Sequence, residues 1–145
     1  MMKKLSVLAV ALVLAACGSS SDPEKTATAK STADDKGDFA TVEVTVQGDK
    51  VTKISIDETK EGKSKKELGA DYGMKSTSAK SGIGKEWNEQ VEFLENYIVK
   101  NGLSKVELSD AGTAKNDDVL SGCTINIKNI VTTANQAVED AKASK

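Results

Sequence analysis

The chain has 145 residues, a formal net charge of −2 at pH 7 and no histidine. A histidine general base, a histidine-bound metal and a histidine-bound haem are therefore excluded. Every basic residue is a lysine, and a mildly acidic surface without arginine offers no bidentate contact to phosphate or guanine, so we expect no nucleic-acid partner.

The first seventeen residues have the pattern of a lipoprotein signal. Lys3 and Lys4 form a short positive region, and residues 5–13 are an apolar stretch in which Ser6 is the one polar residue. This stretch is shorter than the roughly 20 apolar residues of a membrane-spanning helix and has the length of a secretory signal. Small residues then precede Cys17, an arrangement typical of lipid attachment to the thiol.

We predict that residues 1–16 are a cleaved signal peptide and that Cys17 is acylated. Two or three acyl chains would then anchor the mature protein firmly on the extracytoplasmic face of the cell membrane. The alternative is an ordinary secretory signal followed by an unmodified cysteine.

Residues 17–38 are predicted to be the lipidated cysteine followed by a flexible tether. They are rich in small and polar residues, contain the only proline and show no apolar periodicity, as linkers do. The remaining residues 39–145 have the size of one small domain. With Cys17 acylated, Cys123 alone can form neither an internal disulfide nor a thiolate metal site, so no metal is expected and redox chemistry would need an organic cofactor.

The first part of the domain is predicted to be a β-hairpin. Residues 39–46 and 51–57 alternate apolar and polar side chains around a turn at 47–50,. Residues 60–66 are basic and polar and are predicted to be a solvated loop, and the glycine-containing segment 71–84 an ordered loop. The apolar faces of the two strands are Val42, Val44 and Val46 on one, and Ile54 and Ile56 on the other.

Two helices follow. Apolar residues recur at helical spacing in 85–100, which ends before Gly102, and again in 128–143,. A short element at 103–108 and a polar turn at 109–117 separate them. The predicted fold class is therefore α+β, with an antiparallel hairpin or sheet packed against two main helices. The apolar stripes are Trp87, Val91, Leu94 and Ile98 in the first helix, and Ile130, Val131, Ala134, Val138 and Ala141 in the second.

The segment between the polar turn and the second helix combines small and nucleophilic side chains. Gly122 permits a backbone conformation or a close approach denied to other residues. Ser121, Cys123 and Thr124 offer hydroxyl and thiol groups, and a helix that begins just after them would favour a phosphate near its N-terminus. Taken alone, the pattern favours a plain turn with a capping hydroxyl over a site.

The residues Asp118-x-x-Ser121-Gly122-x-Thr124 resemble the flavinylation signature of FMN-binding domains, Asp-x-x-Ser/Thr-Gly-Ala-Thr/Ser. Such domains occur in the C subunit of the sodium-translocating NADH:quinone reductase and in lipid-anchored flavoproteins of extracellular electron transfer. Segments 72–74 and 81–87 also resemble small Gram-positive lipoproteins of this family. The resemblance implies an FMN-binding domain in which a flavin transferase takes FMN from FAD and joins it by a phosphodiester to Thr124.

One residue departs from the family signature, because Cys123 stands where alanine is usual. Cysteine is small and weakly polar, so we expect it to fill the turn passively. Two alternatives remain open: a reactive thiol, and a family member that has lost its modification.

The resemblance implies a membrane-anchored electron carrier rather than a stand-alone enzyme. FMN would relay electrons from a membrane NADH:quinone reductase or the quinone pool to an external acceptor, and the protein would position the ring. Tyr72 and Met74 are candidates to line the flavin ring, whereas Trp87 heads an apolar stripe and is more consistent with the core. Asp118 either helps the transferase to orient or deprotonate Thr124 or only stabilises the turn.

Two other functions fit the sequence. The chain could be a noncatalytic surface lipoprotein, an immunogen or ligand-binding module that keeps the fold without covalent flavin. A thiol-based function of Cys123 is disfavoured, because the mature chain has no second unmodified cysteine and no evident base to activate the thiol.

Overall fold

The computed structural model describes residues 22–76 and 82–145. The predicted signal peptide, Cys17 and Ser81 lie outside these ranges. Within them, no helix is both long and apolar enough to cross a membrane.

The sheet has four antiparallel strands in the order β1-β2-β3-β4. They are β1 (Glu24–Lys30), β2 (Ala40–Gln47), β3 (Lys50–Lys60) and the short β4 (Lys63–Ser64). The predicted hairpin is confirmed as β2 and β3, with Gln47 paired to Lys50 across a two-residue turn. Gly48 has φ +60° in this turn, a conformation that glycine adopts at little cost and that tight hairpin turns require.

Strand β1 corrects the prediction of a flexible tether over residues 17–38. Residues 24–30 pair antiparallel with β2 along its length, so the folded domain begins before residue 39. The strand was missed because its inward residues are Ala27 and Ala29, which carry little hydrophobic signal. Its pairing partner and the helix above it are distant in sequence, and they supply the stabilisation that the segment lacks by itself.

The helices are α1 (Lys65–Leu68), α2 (Trp87–Asn101), α3 (Asp117–Leu120) and α4 (Lys128–Ala143), with 3-10 turns at Gly69–Tyr72 and Leu103–Lys105. The two main predicted helices are confirmed as α2 and α4. The prediction of a loop at 60–66 was wrong in part, because β4 and the start of α1 fall there. Ser64 caps α1 by accepting a hydrogen bond from the backbone N–H of Glu67, which explains why a polar segment is helical.

The core lies between the sheet and the two long helices. Helix α2 packs mainly on β3, and α4 packs on β1 and β2. Most of the predicted apolar faces are buried, including Val42, Val44 and Val46, whereas Ile54 and Val138 are half-buried. Helix α4 buries three small residues, Ala134, Ala137 and Ala141. The α+β fold is confirmed.

Both long helices run in the same direction along the domain, which defines two ends. The hairpin end contains the β2–β3 turn and the last turns of α2 and α4, which together line one groove. The loop end contains Ala40, Tyr72 and the first turn of α4, which line a separate cleft. The start of α2 contacts the 3-10 turn at Gly69–Tyr72 and therefore also lies at the loop end.

Candidate functional site at the loop end

Helix α2 holds the Asp118–Thr124 segment through one stripe of side chains. Gln90, Phe93 and Tyr97 are spaced three and four residues apart, so they project from the same side of the helix. Each contacts a different residue of the segment: Gln90 contacts Thr124, Phe93 contacts Gly122 and Tyr97 contacts Asp118.

Gln90 is fully buried and fixes the backbone at Thr124. Its side-chain oxygen accepts a hydrogen bond from the Thr124 backbone N–H at 2.9 Å, and the Thr124 hydroxyl lies 3.4 Å from the same oxygen. Its side-chain nitrogen donates to the carbonyl oxygen of Lys85 at 3.1 Å. The amide therefore has partners on both sides, as a buried polar group needs. Sequence analysis overlooked Gln90, although a glutamine within the apolar stripe of an amphipathic helix is a usable signal.

Gly122 is required because the ring of Phe93 lies against its Cα. A Cβ built at this position would be 2.6 Å from Cδ1 of Phe93 and closer still to Cγ and Cδ2. The φ of Gly122 is not positive, so the requirement is close approach rather than backbone conformation. Of the two reasons for glycine that the sequence left open, the structure selects this one.

The carboxylate of Asp118 is bound by neighbours other than Thr124. Its Oδ2 accepts a hydrogen bond from the Tyr97 hydroxyl at 2.9 Å, and its Oδ1 accepts from Asn116 Nδ2 at 2.8 Å. Oδ1 also accepts from the backbone N–H of Val119 at the start of α3. Desolvation, together with the hydrogen bond to Asp118, raises the pKa of Tyr97. These contacts give Asp118 the geometry of a residue that stabilises the turn.

Ser121 and Cys123 have structural contacts in the same turn. The hydroxyl of Ser121 donates to the carbonyl oxygen of Asp118 at 2.8 Å. Cys123 is 1% exposed and belongs to the core, and burial raises the pKa of its thiol to about 12. A protonated, enclosed thiol is a poor nucleophile. The geometry thus favours Cys123 as a passive filler over the reactive thiol.

Thr124 is partly exposed and lies four residues before α4. The first turn of α4 contains no acidic residue, and its N-cap residue, Ile127, provides no side-chain cap. The backbone N–H of Lys128 donates instead to the side-chain oxygen of Asn126 at 3.1 Å. Lys128 adds a positive charge in that turn. The position of Thr124 before a helix start without acidic side chains is compatible with a phosphate on its hydroxyl.

Tyr72 and Met74 lie on the path from α1 to α2. The ammonium of Lys65 sits 5.1 Å from the Tyr72 ring centre and 5.3 Å from that of Trp87, within the range of cation–π attraction. Trp87 is 1% exposed and is a core residue, as its helical spacing indicated. The backbone N–H of Met74 donates to Glu86 at 3.1 Å.

Tyr72 also lines a cleft of about 210 Å³ at the loop end, together with Lys65, Glu58 and Asn129 of α4. Lys65 forms an ion pair of 3.3 Å with Glu58 in this cleft. Tyr72 is thus brought to the same end of the domain as the start of α4, although no contact between Tyr72 and Thr124 is recorded among the described residues.

No protein-family model matches the chain, and no curated protein matches it. Its fold is similar to that of a protein from Clostridium thermocellum solved by solution NMR, with a TM-score of 0.51 and 25% sequence identity. The similarity covers 86% of this chain and 95% of the other, and it supports the α+β architecture.

Proposed function

We propose that the chain is the precursor of a membrane-anchored, extracytoplasmic flavoprotein electron carrier in which FMN is joined by a phosphodiester to Thr124. The observation that supports this proposal is the set of contacts between α2 and residues 118–124, which contain the signature. Three side chains of one helix contact Asp118, Gly122 and Thr124, so the residues that define the resemblance are held together by the fold.

The local geometry fits an attached phosphate. The Thr124 backbone is fixed by a buried amide, so the acceptor residue is held in place before any modification. The following helix start carries Lys128 and no acid. We expect the flavin ring to contact Tyr72 and Met74 and to occupy the cleft that Tyr72 lines at the loop end.

Bound FMN would supply one- or two-electron redox chemistry, and the protein would hold and orient it. A covalent bond suits a protein outside the cytoplasm, where lost cofactor is not replaced. The partners we propose are membrane lipid at Cys17, a flavin transferase, a membrane NADH:quinone reductase or quinone pool as donor, and an external electron acceptor.

The test is the intact mass of the mature protein produced together with an active flavin transferase. We expect an added FMN less one water, and its complete loss in Thr124→Ala. Thr132→Ala is the matched control, because it removes the exposed hydroxyl of a threonine that lies outside the signature, eight residues later on α4. It should leave the modification in place.

An unmodified wild-type mass, with the transferase active on a known substrate, would refute the proposal. The noncatalytic surface lipoprotein would then be the better account of the chain. Modification that persists in Thr124→Ala would refute the assignment of the acceptor residue.

A further inference from the structure

The chain enters the folded domain at the hairpin end. The backbone carbonyl of Asp22 accepts a hydrogen bond from Gln47 at 3.0 Å, and Glu24 pairs with Gln47 at the start of β1. A Cβ on Gly48 would lie 2.7 Å from the carboxylate of Asp22, so this residue is packed against the turn. The segment that precedes Asp22 therefore departs from the hairpin end.

The predicted acceptor residue lies at the other end. Gln90, which holds Thr124, belongs to the first turns of α2, whereas Asn101 at the end of α2 lines the groove of the hairpin end. Eleven residues of helix separate them, or about 16 Å. Strand β2 spans the same direction from Gln47 to Ala40, about 24 Å.

Strand β1 also shortens the predicted tether. A flexible segment from Cys17 to residue 38 would extend to about 70 Å and would leave the domain free to take any orientation. Asp22, which is packed against the turn, lies five positions after Cys17, so the connection spans about 17 Å at full extension. This length is comparable with the distance between the two ends of the domain.

The surface at the hairpin end is compatible with a bilayer. It contains a groove of about 770 Å³. The charged residues that line the groove balance, so headgroups would meet no net charge there. They are Asp22, Asp49, Glu139, Lys50, Lys100 and Lys142.

We propose that the lipid anchor holds the hairpin end against the membrane surface and directs the Thr124 end away from it. This inference rests on the proposed lipidation of Cys17. It adds a constraint on the electron partner: a flavin on Thr124 meets a water-soluble or peripheral carrier, or the projecting domain of a membrane complex. A quinone within the bilayer would not be reached directly, which favours the membrane NADH:quinone reductase over the quinone pool as the proposed donor.

The orientation can be measured by energy transfer from tryptophan to a dansyl lipid. The mature chain carrying Cys123→Ala is coupled through the Cys17 thiol to a maleimide lipid in vesicles. Two matched variants each replace an exposed aspartate by tryptophan: Asp49→Trp at the hairpin end and Asp35→Trp at the loop end, between the cleft-lining residues Asp34 and Lys36. Trp87 is retained as a common background, and circular dichroism verifies that both variants fold.

We expect transfer from Asp49→Trp, after subtraction of the parent signal, to be several-fold greater than from Asp35→Trp. Equal transfer or a reversed order would overturn the proposal. Insertion of about 15 Gly/Ser residues after Cys17 should largely remove the difference, because such a linker is flexible. If the two tryptophan variants still differ in energy transfer after this insertion, the short tether is not the cause of the orientation.

This experiment is independent of the flavin and of lipidation in the cell, because the anchor is attached chemically. Failure of the proposed modification would appear in the intact mass and leave the orientation measurable. Failure of the orientation would leave a flavinylated Thr124 unaffected.

Discussion

Substitution of Gly122 by alanine tests whether α2 shapes the predicted acceptor loop. The added Cβ would lie well inside contact distance of the Phe93 ring. The ring, the loop or both must therefore move, and the loop is fixed two residues later by Gln90.

Overpacking of this kind costs about 1–3 kcal/mol of unfolding free energy. The backbone of Gly122 is not in the left-handed region, so alanine is compatible with its φ. Without the clash, Gly122→Ala should therefore stabilise the domain by about 0.4–1 kcal/mol, because it restricts the unfolded chain. The sign of the change in unfolding free energy therefore reports whether the Phe93 ring clashes with the added Cβ.

The assay is urea unfolding of four proteins: wild type, Gly122→Ala, Phe93→Ala and the double variant. We expect Gly122→Ala to be destabilising in the wild-type background and neutral or stabilising in the Phe93→Ala background. The coupling energy should exceed about 1 kcal/mol. A coupling near zero would refute the close approach as the reason for glycine, as would a neutral Gly122→Ala in the wild-type background.

Two further predictions concern the neighbours of this glycine. Gln90→Leu should lower the free energy of unfolding by about 1–3 kcal/mol, since it leaves the Thr124 N–H and the Lys85 carbonyl without their partner, and it should slow flavin loading. The exposed control Gln136→Leu should change the free energy of unfolding by less than about 0.5 kcal/mol. Equal effects of the two substitutions would contradict the role of Gln90. Burial raises the pKa of Cys123 from about 9 to about 12, so its contribution to stability should be complete below pH 9 and decline as pH rises toward 12, because the unfolded chain loses the thiol proton first. Cys123→Ala should flatten the fall in urea midpoint over this interval, and an unchanged slope would refute the assignment.

Residues 118–124 depend on contacts with α2 for their conformation. Asp118, Gly122 and Thr124 occupy a short helix and the turn after it, which by themselves have few internal restraints. Tyr97 and Gln90 supply hydrogen bonds from a helix that ended sixteen residues before α3 begins. The segment should therefore lose its geometry when α2 is perturbed, even where its own residues are unchanged.

The local pattern of the sequence was sufficient to predict the hairpin and the two long helices. Alternation in β2 and β3 and the helical spacing in α2 and α4 are properties of neighbouring residues, and burial of one face follows from them. The same reasoning placed Trp87 in the core. The signal peptide, the lipidated Cys17 and the flavin on Thr124 remain predictions from motif and resemblance.

Contacts between distant residues decided the rest. Residues 24–30 form a strand because β2 and α4 are beside them, not because of their own side chains, whose alanines bury little area. The partners of the candidate segment, Gln90, Phe93 and Tyr97, are separated from it by roughly two to three dozen residues. Such pairings depend on how α2 lies on the sheet, which tertiary packing determines and local periodicity does not.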